Sequence, residues 1–160
     1  MSLIRKILRT GRVTEPAEPA EDSPVAPAAA PLRGSVQVRA VDAGSCNGCE
    51  LEIASAFGPV YDAERFGVRL VASPRHADVL AVTGPVTHNM VTPLVKTYEA
   101  AASPKLVVAV GDCARNCGVF AGGYGVAGAV GDFVPVDLEI PGCPPSPDDL
   151  VRGLRRLTGR

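Results

Sequence analysis

The sequence predicts an α/β domain built on a mostly parallel sheet, and three observations carry that prediction. From residue 36 onward, short apolar and β-branched runs alternate with helix-length segments. One run, Leu106-Val107-Val108-Ala109-Val110, is apolar at every position, as a strand covered on both faces must be. Hydrophobic residues make up 46% of the 160, enough for a sizeable core, while aromatics are only 4% and Trp is absent, so aliphatic side chains and Ala must build it.

The elements follow in order. In residues 1–12, Leu3, Ile4, Ile7 and Leu8 fall at i, i+1, i+4 and i+5, one apolar stripe of a short helix with Arg5, Lys6 and Arg9 beside it. A helix this short is marginal alone in water. It is either a frayed terminus or a docking helix for a partner subunit or an anionic membrane surface. Residues 13–34 read as a flexible linker, because Pro16, Pro19, Pro24, Pro27 and Pro31 are spaced through Ala and acidic residues that cannot offset their ordering entropy. The folded α/β domain spans residues 35–160.

Within it, residues 36–41 form the first strand and residues 49–57 a helix ended by Gly58-Pro59. Residues 68–72 and 77–82 form the second and third strands, bounded by Ser73-Pro74 and by Thr83-Gly84-Pro85. Residues 90–101 read as a helix with Pro93 in its first turn. Residues 106–110 are the fourth strand, residues 134–140 the fifth, and residues 148–157 a last helix with Ser146 or Asp148 as N-cap. No internal repeat is present.

The chemistry concentrates in Ala43-Gly44-Ser45-Cys46-Asn47-Gly48-Cys49-Glu50, two thiols three positions apart on a strand-to-helix turn. Cys113 follows the fourth strand in Gly111-Asp112-Cys113, and Cys143 follows the fifth in Pro141-Gly142-Cys143-Pro144-Pro145. All four thiols therefore sit at the carboxyl ends of strands, the edge where open α/β sheets bind ligands, and can meet in space. Four thiolates suit tetrahedral zinc or an iron–sulfur cluster. Structural zinc sites usually use two close pairs, whereas this chain has one pair and two single cysteines beside Gly or Pro, a spacing that favours the cluster and leaves zinc open. Cys117, four residues after Cys113, is the spare thiol and could replace it or simply pack.

Glu50, at the start of the first domain helix, is either favourably placed on the helix dipole, worth roughly 0.3–1 kcal/mol, or a proton relay. Arg75 and His76 precede the third strand as a solvated loop or as groups facing the site, and His88 reads as a surface residue. A net charge of −1 argues against nucleic acid as the main partner. There is neither a run of about 18 apolar residues nor a signal-peptide core, so a cytoplasmic site is expected, where five cysteines are ligands rather than disulfides.

From about Val38 to Leu154 the chain resembles the small, cluster-bearing subunit of the group 4 membrane-associated nickel–iron hydrogenases, the formate hydrogenlyase type. That family is itself related to the 20 kDa subunit of NADH:quinone oxidoreductase. The resemblance rests on Gly44 through Ile53, on Tyr61-Asp62-Ala63-Glu64-Arg65-Phe66-Gly67, on residues 73–80 and 83–87, on Gly111-Asp112-Cys113, and on Val134-Pro135-Val136-Asp137 through Pro145. It implies a flavodoxin-like fold and one 4Fe–4S cluster on Cys46, Cys49, Cys113 and Cys143. It also implies a peripheral place on the cytoplasmic face of the membrane, through a complex. The implied partners are a large nickel–iron subunit, a ferredoxin-like multi-cluster subunit and membrane-embedded subunits. The Cys46-Asn47-Gly48-Cys49 spacing is the hydrogenase-like form, where the respiratory relatives have two adjacent cysteines. Cys117 departs from the family pattern, which has glycine there. Three rival readings are a component of a quinone-reducing complex, a stand-alone electron carrier, and a zinc-stabilised interaction module.

Overall fold

β-branched and apolar runs form extended structure because their side chains pack on a pleated surface, and here they line up side by side. In the computed structural model, which describes residues 3–11, 32 and 34–158, the strands of the main sheet are β1 (Val36–Asp42), β2 (Val68–Leu70), β3 (Val79–Thr83), β5 (Leu106–Val110) and β7 (Leu138–Ile140). A two-stranded antiparallel ribbon pairs β4 (Val86–Thr87) with β6 (Val126–Gly128). The helices are α1 (Leu3–Thr10), α2 (Gly48–Ala56), α3 (Val91–Ala100), α4 (Asp112–Asn116) and α5 (Pro147–Thr158).

The main sheet runs β2-β1-β3-β5-β7 with every neighbouring pair parallel. The register sets Val38 beside Val79, Val79 beside Leu106, and Val110 beside Ile140. This is the flavodoxin-like order, in which the chain winds outward to β2 and then reverses, leaving a switch point between β1 and β3. Alternation along the strands divides the core. Val36, Val38, Val79, Ala81, Leu106 and Val108 pack with Ile53 of α2 and Leu150, Leu154 and Leu157 of α5. On the other face, Val41, Leu80, Val82, Val107 and Ala109 pack with Leu94 of α3 and Ala114 of α4. Both faces are covered, which is why β3 and β5 are buried at every position.

Several boundaries differ from the sequence expectation. β2 ends at Leu70, two residues early, and β7 begins only at Leu138. Pro135 has no N–H to lend a ladder, and pairing begins where Asp137 exchanges bonds with Val107, its N–H donating at 2.9 Å and its carboxylate accepting at 2.8 Å. α5 is capped by Ser146: its Oγ accepts from Asp149 N at 3.2 Å and donates to the Asp149 carboxylate at 2.6 Å. The ribbon and α4, five residues or fewer per element, are too short for any periodicity to reveal.

The linker expected over residues 13–34 lies outside the described residues except for Leu32, which packs against the core, and Gly34, whose N–H donates to Thr158 O at 2.8 Å. α1 forms where expected and is closed by Gly11 N donating to Ile7 O at 3.0 Å, and none of its residues is buried. Among the described residues, no helix is long and apolar enough to cross a membrane.

Candidate metal centre

Three strand ends and one helix start build the site. After β1, the Asp42 carboxylate accepts from Gly44 N at 2.8 Å and Ser45 N at 2.7 Å, which bends the chain toward Cys46. Ser45 Oγ accepts from Asn47 N at 3.0 Å, and Asn47, in the left-handed region at φ 73°, opens α2 with Cys49 in its first turn. This loop is fastened to the neighbouring one: Ala43 N donates to Thr83 O at 3.0 Å, and Thr87 N donates to Ala43 O at 2.9 Å. After β5, Gly111 leads into α4 and Cys113. After β7, Gly142 leads to Cys143.

The Cys113 and Cys143 turns are tied to each other. Gly111 N donates to Ile140 O at 2.8 Å and Asp112 N to Gly142 O at 2.8 Å. The Asp112 carboxylate in turn accepts from Gly142 N at 3.1 Å and from Arg115 at 3.2 Å, and Arg115 also donates to Glu139 at 2.8 Å. Gly111 marks the closest approach. At φ +85°, a Cβ there would stand 2.7 Å from Cys49 Sγ and 3.3 Å from Gly142 O, so only glycine lets the turn close over the thiol.

Cys49 lies within electrostatic reach of Cys46, Cys113 and Cys143, and Cys113 within reach of Cys46 and Cys143. Cys49 and Cys113 are buried, whereas Cys46 and Cys143 are exposed. Burial pushes the Cys49 thiol up from 9.0 to about 12, with Glu50, Cys113, Cys46 and Cys143 adding to the rise. Burial also raises Cys113, helped by Cys143 and Cys46. Thiolates are the metal-binding form, so these four can be ligands together only when positive charge joins them. Among the described residues, no three His, Cys, Asp or Glu side chains stand close enough to hold a single metal ion. The all-sulfur donor set is by its chemistry one that fits an iron–sulfur cluster.

The remaining candidates separate. Cys117 sits at the end of α4 with φ 66°, its N–H donating to Cys113 O at 2.9 Å. Its thiol is raised by burial and then by Asp132, with no other thiol contributing. Glu50 does not lie on the helix surface: one carboxyl oxygen accepts from the hydroxyl of the fully buried Thr83, and the other is buried with no hydrogen-bond partner among the described residues. Arg75 and His76 are in a turn before β3 at the amino edge of the sheet, away from the thiols. Thr83 and Glu139 fall inside stretches that carry the resemblance, but no motif in the sequence marks their own roles, nor those of Asp42 and Arg115. Only Asp42, two residues before Gly44, gives a local signal, that of a side chain closing its own turn.

Comparison with known proteins gives the family. The chain is 44% identical over 128 residues to formate hydrogenlyase subunit 7 of Escherichia coli (strain K12), which covers 80% of this chain and 50% of that protein. The chain thus spans half the length of that relative. It is 47% identical over 114 residues to the probable membrane-bound hydrogenase subunit mbhJ of Pyrococcus furiosus, covering 71% of this chain and 68% of that one. Among solved structures it superposes on a chain of the membrane-bound sulfane sulfur reductase, an archaeal respiratory membrane complex, with a TM-score of 0.70 and 32% identity over 81% of this chain and 72% of the other. Residues 46–157, the span that holds all four thiols, match the NADH ubiquinone oxidoreductase 20 Kd subunit family, and the chain belongs to that family.

Proposed function

We propose that this chain is an electron-transfer subunit of a membrane-associated nickel–iron hydrogenase complex, carrying one 4Fe–4S cluster on Cys46, Cys49, Cys113 and Cys143. The observation that carries this reading is the gathering of those four thiols at one sheet edge, two buried and two exposed. A cluster held there would take up and release one electron at a time. The chain's own residues supply the rest. Cys49 and Cys113 root the site in the core. Cys46 and Cys143 leave an edge on the surface, where a partner can come close. Gly111 keeps side-chain atoms away from Cys49, and Asp112 holds the turns before Cys113 and Cys143 together. Glu50, with one oxygen bonded to Thr83 and the other buried and unpartnered among the described residues, is the residue we assign as a proton relay.

The partners we assign are a large nickel–iron subunit, a ferredoxin-like multi-cluster subunit and membrane-embedded subunits, with the complex at the cytoplasmic face. The hydrogenase names of two relatives support this, as does the Cys46-Asn47-Gly48-Cys49 spacing. A second reading, the 20 kDa component of an NADH:quinone-type oxidoreductase, is favoured by the family description itself. The large subunit that co-purifies with this chain discriminates them: retained nickel-binding cysteines support the hydrogenase, and their loss supports the quinone-reducing complex.

The deciding experiment is anaerobic purification followed by iron, sulfide and zinc analysis and EPR of the reduced protein. The expected result is about four irons and four sulfides per chain, with a signal lost in Cys113→Ser and kept in Cys117→Ser. One zinc and no iron, in protein kept with its partners, would replace the electron-transfer reading with a zinc-stabilised interaction module.

A further inference from the structure

Helix α1 shares nothing with the site. It lies outside residues 46–157, the span that matches the family. Its apolar side chains are all in solvent: Leu3 is 73% exposed, Ile4 68%, Ile7 61% and Leu8 78%. At helical spacing these four cover one side, and Arg5, Lys6 and Arg9 fall on the other. The charge pattern is one-signed. Residues 1–14 contain Arg5, Lys6, Arg9 and Arg12 and no carboxylate, and the first acidic residue is Glu15. Left in water, the stripe gains nothing from helix formation, since isolated helices of two turns are unstable. A surface that takes apolar side chains to a shallow depth and presents dense negative charge around them would satisfy both faces at once. Arg and Lys stems can lie along such a surface while their charged ends reach the anionic groups.

We propose that α1 is an interfacial anchor that binds this chain directly to an anionic lipid bilayer. Leu3, Ile4, Ile7 and Leu8 enter the headgroup boundary, and Arg5, Lys6 and Arg9 bind the lipid phosphates. The anchor goes beyond the electron-transfer reading and does not depend on the cluster, so its test does not use redox activity. The chain, purified anaerobically with whatever metal it holds, is co-sedimented with vesicles of phosphatidylcholine and with vesicles containing phosphatidylglycerol. The expected result is partition onto the phosphatidylglycerol vesicles alone, reversed by salt. Ile7→Glu abolishes it, and each of Arg5→Gln, Lys6→Gln and Arg9→Gln lowers the partition coefficient about fivefold. Circular dichroism and thiol titration of each variant establish that the domain, which α1 does not help to bury, is unaltered. No partition of the wild type onto either vesicle would overturn the proposal and assign the stripe to a protein groove. Equal partition onto both vesicles, or the same partition for Ile7→Glu as for wild type, would overturn it as well.

Discussion

At the amino edge of the sheet, the Asp78 carboxylate accepts from Gln37 N at 2.8 Å and the Asp137 carboxylate accepts from Val107 N at 2.8 Å. At the carboxyl edge, Asp42 accepts from Gly44 and Ser45, and Asp112 accepts from Gly142. The bonding is the same, an aspartate satisfying backbone N–H groups that the ladder leaves over. The consequences differ. At the amino edge the bonds begin strands, and the turn there carries Arg75 and His76 but no thiol. At the carboxyl edge they bend the chain into turns that need positive φ at Gly44, Gly111 and Gly142, and each turn delivers a cysteine. One chemical device thus stabilises the fold at one edge and shapes a site at the other. Damage to the two edges is therefore expected to separate stability from metal content.

The largest expected effect is at Gly111. In Gly111→Ala, the new Cβ meets Cys49 Sγ at 2.7 Å in a backbone conformation that alone costs about 1–3 kcal/mol for a non-glycine residue. Iron and sulfide per chain should fall to a small fraction of wild type. Retention of wild-type iron would mean that the Cys49 thiol is free to move aside.

The comparison is sharpest between Asp112→Asn and Asp78→Asn. Each weakens bonds to backbone N–H groups and should lower the urea-unfolding free energy by about 1 kcal/mol. The Arg115 bridges add little to the Asp112 value because they are partly in solvent. Only Asp112→Asn should shorten the lifetime of the iron–sulfur absorbance under air, since only it loosens Gly142 beside Cys143. Equal lifetimes in the two variants would erase the distinction between the edges.

A third test uses pH on chain freed of metal. Cys49 has its proton affinity raised by burial from 9.0 to about 12, so the folded state holds that proton more tightly than the unfolded state does. The resulting stability is complete below about pH 9 and is lost as pH rises toward 12. The urea midpoint should fall over that window, and Cys49→Ala should flatten the fall. The smallest effect is at the start of α5: Ser146→Ala removes the helix cap and should cost about 1 kcal/mol in thermal unfolding without change in iron content.

Much of this is legible in the chain. β3 and β5 read as buried strands because both faces are covered, and continuous apolar runs are the direct record of that. Cys46 and Cys49 announce themselves through their spacing, and Cys113 and Cys143 through their positions after strands. Glu50 is legible as a residue to watch but not in its setting, because Thr83 is far from it in sequence and no local pattern links them. The Asp112–Arg115–Glu139 network is hidden for the same reason. The late start of β7 escapes a sequence reading because Val134 and Val136 look like strand residues, yet they pack on the α3 and α4 side as irregular chain.

What the sequence determined by itself is whatever depends on near neighbours: the strand–helix alternation, the amphipathic pattern of α1, a cap for α5 at Ser146 or Asp148, and which residues are thiols. Those follow from backbone propensity and from side-chain period, both local quantities. What only the tertiary structure decided is which thiols meet. Cys113 lies within electrostatic reach of Cys46, Cys49 and Cys143, whereas the Cys117 thiol is raised by burial and by Asp132, although the two are four residues apart. The physical reason is that a strand end aims the residue that follows it at the shared edge, and one turn of helix later the chain has already turned toward Asp132.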